Sequence, residues 1–543
     1  MKIKCRPLRV VAADDDPPLD RAEPLRLARL ARWFDADTRA GAGYDAHSYS
    51  CARWIFLRAL GVVFFSAFYS LAFQIRALIG PDGILPARLF LARVAEALPG
   101  VARFHQVPSL LWLSASTRAL DALVAVGLAA SVLLVVGVWP RAMIAIAGVL
   151  FLSFVSTAQV FSSYQSDGML LEAAFIALFF APRGFWPGLG AAHPPSRASL
   201  WLLRWEWFRI YFASGVGKIW SGDPEWRALR AMDHYYENGP LPTWLGWWAH
   251  QLPRGAHTGA ALFTLVVELA LVWLVLFGRR GRIAIFFIVT PLQIGIIATA
   301  NYAFLNYLVL FLGILLLDDR ALASALALAR VRLPSPRALS VSEPPRWRLL
   351  GAAFVLSWIA YATTAVLLFR YAPGGPLEAP ARWLAPLRIA NRYGLFEVMT
   401  PARYEIEFQG TTDGITWSPY PFRYKPQDPM AAPGIYAPYQ PRFEWNLWFA
   451  SLDTWRRQPW VVRTSARLLD RDEAVLALFA KDPFDGKAPR AVRVVLWQYW
   501  FTDRATRATT GAWWRRELVG PYCPTLARSA DGTIEATTED AAP

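Results

Sequence analysis

The sequence has little cysteine. Only 3 of its 543 residues are cysteines, at positions 5, 51 and 523, and no two of them form a Cys-x-x-Cys pair. We therefore expect neither thiol–disulfide exchange nor a cysteine-bound zinc ion. The first 50 residues also lack the short apolar core of a cleavable signal peptide. The first spanning helix is therefore expected to act as an uncleaved insertion signal.

Charge is scarce as well. Charged side chains make up 18% of the sequence against 55% hydrophobic ones, and the hydrophobic residues are concentrated in runs of about 17–22, which cross roughly 30 Å of hydrocarbon. This pattern excludes an ordinary soluble protein and predicts a polytopic α-helical membrane domain. The net charge of +15 raises nucleic acid as a partner. The basic residues lie scattered between apolar runs without a basic stripe, however, which favours a role in membrane orientation and no nucleic acid.

We predict a cytoplasmic tail at 1–50 and a transmembrane domain at 51–370 with about seven to nine spans. Two of the candidate spans are short, which leaves the number open. The nine candidates are 53–75, 119–139, 141–162, 168–182, 200–220, 259–277, 282–300, 302–317 and 350–370.

Arginines predict the orientation of these spans. The loop Gly278-Arg-Arg-Gly-Arg282 and the segment 318–349 are rich in arginine, so the positive-inside rule makes both cytoplasmic. Two spans separate these segments, so both can lie on the same side of the membrane, as the rule requires. The N-terminus is then cytoplasmic and everything after residue 370 is extracytoplasmic. Polar clusters near 164–172, 215–226 and 299–306 share that outer face, which predicts a site there.

Residues 371–525 change character and predict a β-sandwich-like soluble domain with a helical insertion, followed by a disordered tail at 526–543. A turn signal at Thr411-Thr-Asp-Gly414 indicates a structural hairpin. Two helices are predicted at 460–469 and 473–480. The strand-like runs are 403–409, 417–425, 442–450 and 491–502.

Lys218 follows Gly215 and Gly217 at the outer end of the fifth span. A partly desolvated lysine can act as a base or bind an anion. A structural ion pair with Glu172, at similar depth, is the favoured interpretation. Arg209 and Glu268 also fall at comparable depth and are predicted to neutralise each other as a link between helices.

The loop 221–258 concentrates acidic, histidine and tryptophan residues. Asp233, His234 and Glu237 approach a metal-binding spacing but lack a clear third ligand, so no metal is predicted. A Ser/His/Asp triad stays open on composition alone, although no nucleophile elbow is present. The tryptophan-rich stretch 244–250 favours a re-entrant segment at the membrane interface.

Long motifs occur in order over roughly residues 50–525. They are Tyr164-Gln-Ser-Asp-Gly-Met-Leu-Leu-Glu172, Ser221-Gly-Asp-Pro-Glu-Trp-Arg227, Trp248-Ala-His-Gln-Leu-Pro253, Thr299-Ala-Asn-Tyr302, Leu315-Leu-Leu-Asp-Asp319, Tyr393-Gly-Leu-Phe396, Ala437-Pro-Tyr-Gln-Pro-Arg442, Trp448-Phe-Ala-Ser-Leu452, Asp482-Pro-Phe484 and Trp513-Trp-Arg-Arg-Glu517. This set resembles the lipase maturation factor family. The resemblance implies a multi-pass protein, of the endoplasmic reticulum membrane in animals, with chaperone-like activity toward secreted homodimeric lipases. Its partners would be the lipid bilayer and an exported, lipase-like client that the C-terminal domain binds.

The resemblance carries over no catalytic residue, so no cofactor is expected. A bacterial-type member would lie in the inner membrane, where vertebrate lipases are absent and the client stays open. The candidate motif residues are Tyr164, Gln165, Asp167, Gly168, Glu172, Asp223, Trp226, His234, Glu237, His250 and Asn301. The candidate client contacts are Trp417, Arg442 and Trp448.

A second, shorter motif supports an enzymatic alternative. Phe212-Ala-Ser-Gly-Val-Gly-Lys218, followed by Trp226, is similar to the transmembrane domain of vitamin K-dependent γ-carboxylases. That similarity implies a lipid- or quinone-utilising membrane enzyme in which Lys218 is the base. Glu172 is the second catalytic candidate. A third class, a sugar- or lipid-binding receptor, depends only on the predicted sandwich and its aromatic loops.

Overall fold

The computed structural model describes residues 46–328, 345–369, 378–529 and 531–537. Most of the predicted N-terminal tail lies outside these ranges. So do the middle of the arginine-rich segment 318–349 and the first residues of the predicted soluble domain, up to residue 377.

The chain before residue 370 is helical. All nine predicted spans coincide with a helix to within several residues, and several of these helices begin or end at residues suited to that position. Ser116 and Ser196 cap the N-termini of the helices Thr117–Val136 and Arg197–Trp220 with their hydroxyl oxygens, and Gly137 ends the first of these two helices in the left-handed conformation at φ 96°. The helices are α1 (Ser50–Ala72), α2 (Ile75–Ile79), α3 (Ala87–Ala97), α4 (Ala102–Gln106), α5 (Thr117–Val136), α6 (Pro140–Val155), α7 (Gln165–Phe180), α8 (Arg197–Trp220), α9 (Pro224–Arg227), α10 (Ala231–Asn238), α11 (Trp244–His250), α12 (Arg254–Leu269), α13 (Gly278–Thr299), α14 (Leu305–Ile314), α15 (Asp319–Leu328) and α16 (Arg346–Phe369).

Six helical stretches in the described residues are long and apolar enough to cross a membrane: Ser50–Ala72, Thr117–Val136, Pro140–Thr157, Arg254–Leu276, Gly278–Thr299 and Arg346–Phe369. The predicted range of seven to nine spans is therefore not confirmed. The helices α7 and α14 are only 16 and 10 residues long. The 24-residue α8 carries Arg204, Glu206 and Arg209 in its middle, which lowers its hydropathy.

The bundle has two chemically different ends. At one end the Asp319 carboxylate accepts the backbone N–H groups of Cys51 and Ala52, at 2.9 and 3.0 Å. At the same end Arg53 donates to the carbonyl of His193 at 2.6 Å, and Arg279 pairs with Asp318. The C-terminal part contacts the opposite end, together with the polar clusters singled out in the sequence.

The C-terminal part contains one five-stranded antiparallel sheet in strand order β2-β1-β3-β4-β5. Bulges interrupt the pairing of β3 with β4 between residues 492 and 497. The strands are β1 (Arg403–Thr411), β2 (Ser418–Pro419), β3 (Ala491–Phe501), β4 (Trp514–Arg528) and β5 (Ile534–Ala536). The helices are α17 (Ala379–Leu384), α18 (Arg442–Ser451), α19 (Pro459–Leu469), α20 (Glu473–Leu476) and α21 (Arg504–Thr510).

The two faces of this sheet are covered differently. Ile406 and Phe408 point into an aromatic core with Phe443 of α18 and Phe479. On the opposite face Glu405 pairs with Lys425 at 2.8 Å, so a polar loop covers that side. The predicted sandwich is not confirmed, because the strands that the structure describes form a single sheet packed between helices and a loop.

Several local predictions are confirmed, namely β1, β3, the helix at 460–469 and the Thr411–Gly414 hairpin, whose strands pair Gly410 with Ser418. Two others are confirmed only in part: the helix predicted at 473–480 covers Glu473–Leu476, and the strand predicted at 417–425 covers Ser418–Pro419. The predicted strand at 442–450 is wrong, because these residues form α18 with both its aromatic and its polar side chains buried. Strand β4 was not predicted, because Gly520, Pro521 and Pro524 are residue types that argue against a strand. The disordered tail predicted at 526–543 is wrong for two stretches. Residues 526–528 form the end of β4, and residues 534–536 form β5, which pairs with them.

Candidate functional site

The candidate site lies where the C-terminal part crosses one end of the helical bundle. Residues 391–400, called the strap below, run over this end between α17 and β1 without regular secondary structure. Backbone N–H and C=O groups of such a segment need partners outside a ladder when they are buried. Polar side chains from α7, α8 and the following loop provide these partners.

Helix α7 holds the first half of the strap. The N–H of Asn391 donates to Glu172 at 3.2 Å, and its side-chain amide donates to the carbonyl of Gly168 at 3.0 Å. Gln165 binds Gly394 twice, accepting from its N–H at 2.9 Å and donating to its carbonyl at 3.2 Å. A Cβ added to Gly168 would lie 2.5 Å from Asn391 Oδ1, so only glycine allows this close approach.

Glu172 is the centre of a buried polar cluster. Its carboxylate pairs with the Arg209 guanidinium, and both side chains are 1% exposed or less. Tyr393 of the strap donates its hydroxyl to Glu172 at 2.8 Å, and Arg209 donates to the carbonyl of Asn391 at 3.1 Å. The predicted pairing of Glu172 with Lys218 is therefore wrong, and so is that of Arg209 with Glu268.

Lys218 pairs instead with Glu268 of α12, with Nζ at 3.0 and 2.8 Å from the two carboxylate oxygens. The third Nζ contact is the carbonyl of Leu395 in the strap, at 2.9 Å. The partners differ from the prediction because Gly215 lets α12 approach: a Cβ there would lie 2.7 Å from Glu268 Cβ. An ammonium has three N–H donors, and each has an acceptor here.

The loop after α8 holds the second half of the strap. Asp223 caps α9 with one oxygen, accepting the N–H groups of Glu225 and Trp226 at 2.9 and 3.0 Å. Its other oxygen accepts the N–H of Met399 at 2.9 Å. The indole of Trp226, which is 1% exposed, donates to the carbonyl of Phe396 at 2.8 Å. The family-like motif at 221–227 therefore binds the chain's own backbone.

Arg442 and Asp167 form the ion pair that attaches α18 to α7. Two N–H···O contacts of 2.8 Å join the side chains, and Arg442 also donates to the carbonyl of Phe161 at 2.8 Å. Tyr164 receives a hydrogen bond from Asn446, one turn along α18. Arg442 is 0% exposed. As a client contact it is a wrong prediction, since no partner can reach it in the folded protein.

Arg403, which sequence reasoning treated only as the start of a strand, is a second attachment point. Its guanidinium pairs with Glu405 and donates to the carbonyls of Glu237 and Pro240 at 2.8 and 3.0 Å. Asn301 is a third. Its amide donates to the carbonyls of Leu241 and Gly434, and its oxygen accepts the N–H groups of Tyr436 and Ala437. For Arg403, the only indication in the sequence was its position at the start of a strand with alternating apolar and polar residues.

The histidines of the 231–257 region pair separately with acids. His257 lies 2.9 Å from Asp233, His234 lies 3.4 Å from Glu225, and His250 lies 3.9 Å from Glu237. Burial raises the pKa of Glu237 to about 7, although its carboxylate accepts the N–H of Phe501 at 2.5 Å. Burial, together with the nearby His257 and His234, lowers the pKa of His250 to about 4. No group of three metal-binding side chains exists within the described residues.

The two remaining client candidates are half-buried aromatic residues. Trp417 stacks under Arg493, whose guanidinium carbon lies 4.3 Å from the ring centroid. Trp448 contacts Phe449, with ring centroids 5.0 Å apart. Both lie on the C-terminal part and have some surface open to a partner.

These contacts define the class of protein. It is a polytopic membrane protein whose C-terminal domain is fixed to one end of the helical bundle by the buried Arg442–Asp167 ion pair, by hydrogen bonds from Arg403 and Asn301, and by side chains that bind the strap. Comparison with known proteins then identifies it more closely. The chain belongs to the lipase maturation factor family: residues 51–324 match the lipase maturation factor transmembrane domain, and residues 389–524 match the lipase maturation factor C-terminal domain.

Curated relatives match nearly the whole chain. It is 32% identical to lipase maturation factor 1 of Bos taurus, over 89% of this chain and 90% of the relative. It is 31% identical to lipase maturation factor 1 of Homo sapiens, over 90% and 91%. It is also 31% identical to lipase maturation factor 2 of Gallus gallus, over 87% and 81%. No solved structure matches it.

Proposed function

We propose that this protein is a membrane-embedded maturation factor that assists the folding of exported lipases or related exported proteins. The observation that carries the proposal is the match of both domains to one family, whose relatives are named lipase maturation factors and align along nearly their full length. The contacts support a non-catalytic role, because the polar motifs bind the protein's own strap and C-terminal domain.

The attachment of the C-terminal domain supports this role. The ion pair of Arg442 with Asp167 and the hydrogen bonds that Arg403 donates to the carbonyls of Glu237 and Pro240 hold the domain at a fixed position against the bundle. A client bound to the domain is then kept next to the membrane from which it emerged. Exposed apolar side chains on the domain, Leu518 and Val519 of β4 and Leu452 beside α18, suit contact with an incompletely folded client. Trp417 and Trp448 remain our proposed aromatic contacts.

We also propose that the C-terminal domain is extracytoplasmic and the N-terminus cytoplasmic. The arginine-rich loop Gly278–Arg282 and the residues Asp318 and Asp319 lie at the end of the bundle away from the domain, as the positive-inside rule requires. The membrane is that of the endoplasmic reticulum by analogy with animal relatives. For a bacterial-type member, suggested by the excess of arginine over lysine, it is the inner membrane.

The enzymatic alternative, with Lys218 as the base of a γ-carboxylase-like reaction, is not favoured. A general base needs a deprotonated amine within reach of a substrate. Lys218 Nζ is in contact with both oxygens of Glu268 and with the carbonyl of Leu395, and its side chain is 3% exposed. Glu172, the other candidate, is held by Arg209 and Tyr393 in the same way. The sugar- or lipid-binding receptor depended on the predicted sandwich and its aromatic loops; the sandwich is not confirmed, and we do not favour this alternative.

The test is co-expression of the full chain with an exported lipase in a host that lacks a lipase maturation factor. We expect secreted lipase activity per mass of lipase to rise several-fold. A chain ending at residue 401 keeps the strap and the membrane domain but lacks the sheet, so it should insert and give no rise. Equal activity with the truncated chain would contradict a role for the C-terminal domain, and no rise with the full chain would contradict the proposed function.

A further inference from the structure

A cavity of about 560 Å³ lies between the outer end of α1 and the C-terminal domain. Its walls include Tyr69 of α1, Phe73 directly after α1 and, from the C-terminal part, Tyr424, Tyr436, Tyr439 and Glu444. A neighbouring cavity of about 580 Å³ shares Phe73 and Ala477 with it. Neither cavity belongs to the strap contacts described above.

Aromatic rings dominate the first cavity. The ring centroids of Tyr424 lie 4.9 Å from Tyr436 and 5.3 Å from Tyr439, and Tyr69 lies 6.2 Å from Tyr439. Gln74 donates to the Tyr439 hydroxyl at 3.1 Å, which fixes that ring. Clustered aromatic faces of this kind attract organic cations, and quaternary ammonium groups in particular.

The charges around the two cavities also favour a cation. The Glu444 carboxylate is held in place by the backbone N–H groups of Arg423, Tyr424 and Lys425, at 3.0, 2.8 and 2.6 Å. The second cavity adds three carboxylates, those of Asp82, Asp472 and Glu473. Of the two arginines on the cavity walls, Arg76 is paired with Asp121 at 2.7 Å. The exposed Arg423 donates to the carbonyl of Ala477 at 3.3 Å but has no carboxylate partner within the part of the chain that the structure describes, so its guanidinium offers a positive charge suited to a phosphate.

An exposed, largely aromatic stripe along α1 leads into this cavity. Val62, Phe65, Tyr69 and Phe73 are 45%, 38%, 45% and 58% exposed and fall on one face at helical spacing. The rings of Phe65 and Tyr69 lie 5.9 Å apart, and those of Tyr69 and Phe73 lie 5.0 Å apart. Because Tyr69 and Phe73 belong both to the stripe and to the cavity wall, an acyl chain along the stripe would place its headgroup in the cavity.

We propose that this cavity binds the headgroup of a phospholipid that ends in an ammonium group, such as choline or ethanolamine. The ammonium lies against the tyrosine rings near Glu444, the phosphate contacts Arg423, and one acyl chain lies along the stripe on α1. The bound lipid touches both the first spanning helix and the C-terminal domain, so it stabilises the joint between them. This site does not depend on the client, and its test is separate from that of the proposed function.

The test uses the full chain purified in detergent and exchanged into lipid. Phosphatidylcholine, phosphatidylethanolamine and phosphatidylglycerol of one acyl composition are added in turn. Bound lipid is counted by native mass spectrometry and the melting temperature is recorded. We expect the two ammonium lipids to remain bound and to raise the melting temperature, with phosphatidylglycerol doing neither. Equal retention of all three lipids would overturn the proposal.

Substitutions of the cavity tyrosines locate the site. Tyr69→Leu combined with Tyr436→Leu removes two partly exposed rings, and we expect the half-saturating concentration of phosphatidylcholine to rise about tenfold. The corresponding Tyr→Phe pair keeps the aromatic faces and should bind normally. Tyr361→Leu, on the exposed face of α16, is the control and should have no effect. Unchanged binding in the Leu pair would place the lipid elsewhere and overturn the proposal.

Two further outcomes separate other occupants. Phosphocholine without acyl chains should compete only weakly, and competition as strong as that of the lipid would exclude the acyl contact along α1. If the Leu pair lowers lipase maturation while lipid retention is unchanged, the cavity holds a client peptide and the proposal fails. If it lowers lipid retention while maturation is normal, the lipid site stands on its own.

Discussion

Arg442 and Asp167 lie 275 residues apart in the chain, yet their side chains form a two-contact ion pair that is 0% and 1% exposed. Asp167 belongs to the first turn of α7 and Arg442 to the first turn of α18. The pair therefore joins a helix of the bundle to the C-terminal domain. Both residues stood out in the sequence, one as a site residue and the other as a client contact, and the structure makes them partners.

Replacing Arg442 alone should loosen this joint. Arg442→Met leaves the Asp167 carboxylate buried without its partner, which costs about 3–5 kcal/mol of stability. Arg442→Lys should rescue little, because an ammonium cannot reproduce the paired contacts to Asp167 and the contact to Phe161. Thermal unfolding in detergent and the rate of proteolysis within residues 391–400 report the loss.

The control for this prediction is the exposed pair of Arg76 with Asp121, whose side chains are 60% and 40% exposed. Arg76→Met should change stability by at most about 1 kcal/mol. The double variant Arg442→Met with Asp167→Leu removes both charges and should recover much of the stability that the single variant loses. If the double variant is less stable than either single variant, the unpaired charge is not the cause of the stability that Arg442→Met loses.

The pair of Lys218 with Glu268 separates structure from chemistry. Lys218→Met alone buries an unpaired carboxylate and should lower the amount of folded protein. Lys218→Met with Glu268→Leu removes both charges and should restore abundance together with lipase maturation, because an apolar pair of similar volume can replace a buried ion pair. Maturation activity per folded protein is measured. A double variant that folds normally but is inactive would instead support a catalytic lysine.

Sequence reasoning found the helices of the bundle because apolar runs of membrane length leave little ambiguity. It also placed the polar clusters at the end of the bundle that carries the C-terminal domain. It could not assign partners within the membrane, since depth along a helix does not say which neighbour comes closest. Gly215 decides that for Lys218 by letting α12 approach, and the consequence is visible only in three dimensions.

The C-terminal domain was harder to predict. Residues 442–451 alternate apolar and polar side chains as a strand does, but both sets are buried, because Arg442 and Glu444 find partners inside the protein. The strand β4 contains Gly520 and two prolines, which single-sequence patterns treat as breaks. Only the motif at 393–396 draws attention to the strap in the sequence. An irregular segment that is held by side chains from elsewhere in the chain has no periodic pattern of apolar residues.

Gly168→Ala should detach the strap from α7. The new Cβ would meet the Asn391 amide oxygen at 2.5 Å, so either the amide or the helix must move and the contacts of Asn391 with Gly168 and Glu172 are lost. We expect a lower melting temperature and faster proteolysis of the strap.

Gly148→Ala, in α6, is the matched control, because its Cβ would have no neighbour within 4 Å and alanine is the better helix former. In an Asn391→Ala background the clash is absent, so Gly168→Ala should then cost little. Full additivity of the two substitutions would contradict the close contact between these residues.

Glu237 should make stability depend on pH. Burial raises its pKa from 4.5 to about 7 in the folded protein, so the folded state holds a proton between these values that the unfolded chain releases. Stability is therefore fully present below pH 4.5 and falls as the pH rises through 7. Glu237→Gln keeps an acceptor for the Phe501 N–H without the charge. It should stabilise the protein by about 1–3 kcal/mol at pH 8 and by much less at pH 5.5.

Melting temperatures of Glu237→Gln and wild type are compared at both pH values, so that other titrating groups cancel. Among these is His250, 3.9 Å from Glu237. The pKa of His250 is lowered from 6.5 to about 4 in the folded protein. The free energy of unfolding therefore falls as the pH drops below 6.5, which is opposite to the effect of Glu237. Glu517→Gln, whose side chain is 64% exposed on β4, is the matched control and should give the same small difference at both pH values. If Glu237→Gln also gives the same small difference at both pH values, the Glu237 carboxylate ionises in the folded protein at no cost in stability. Burial then does not raise its pKa.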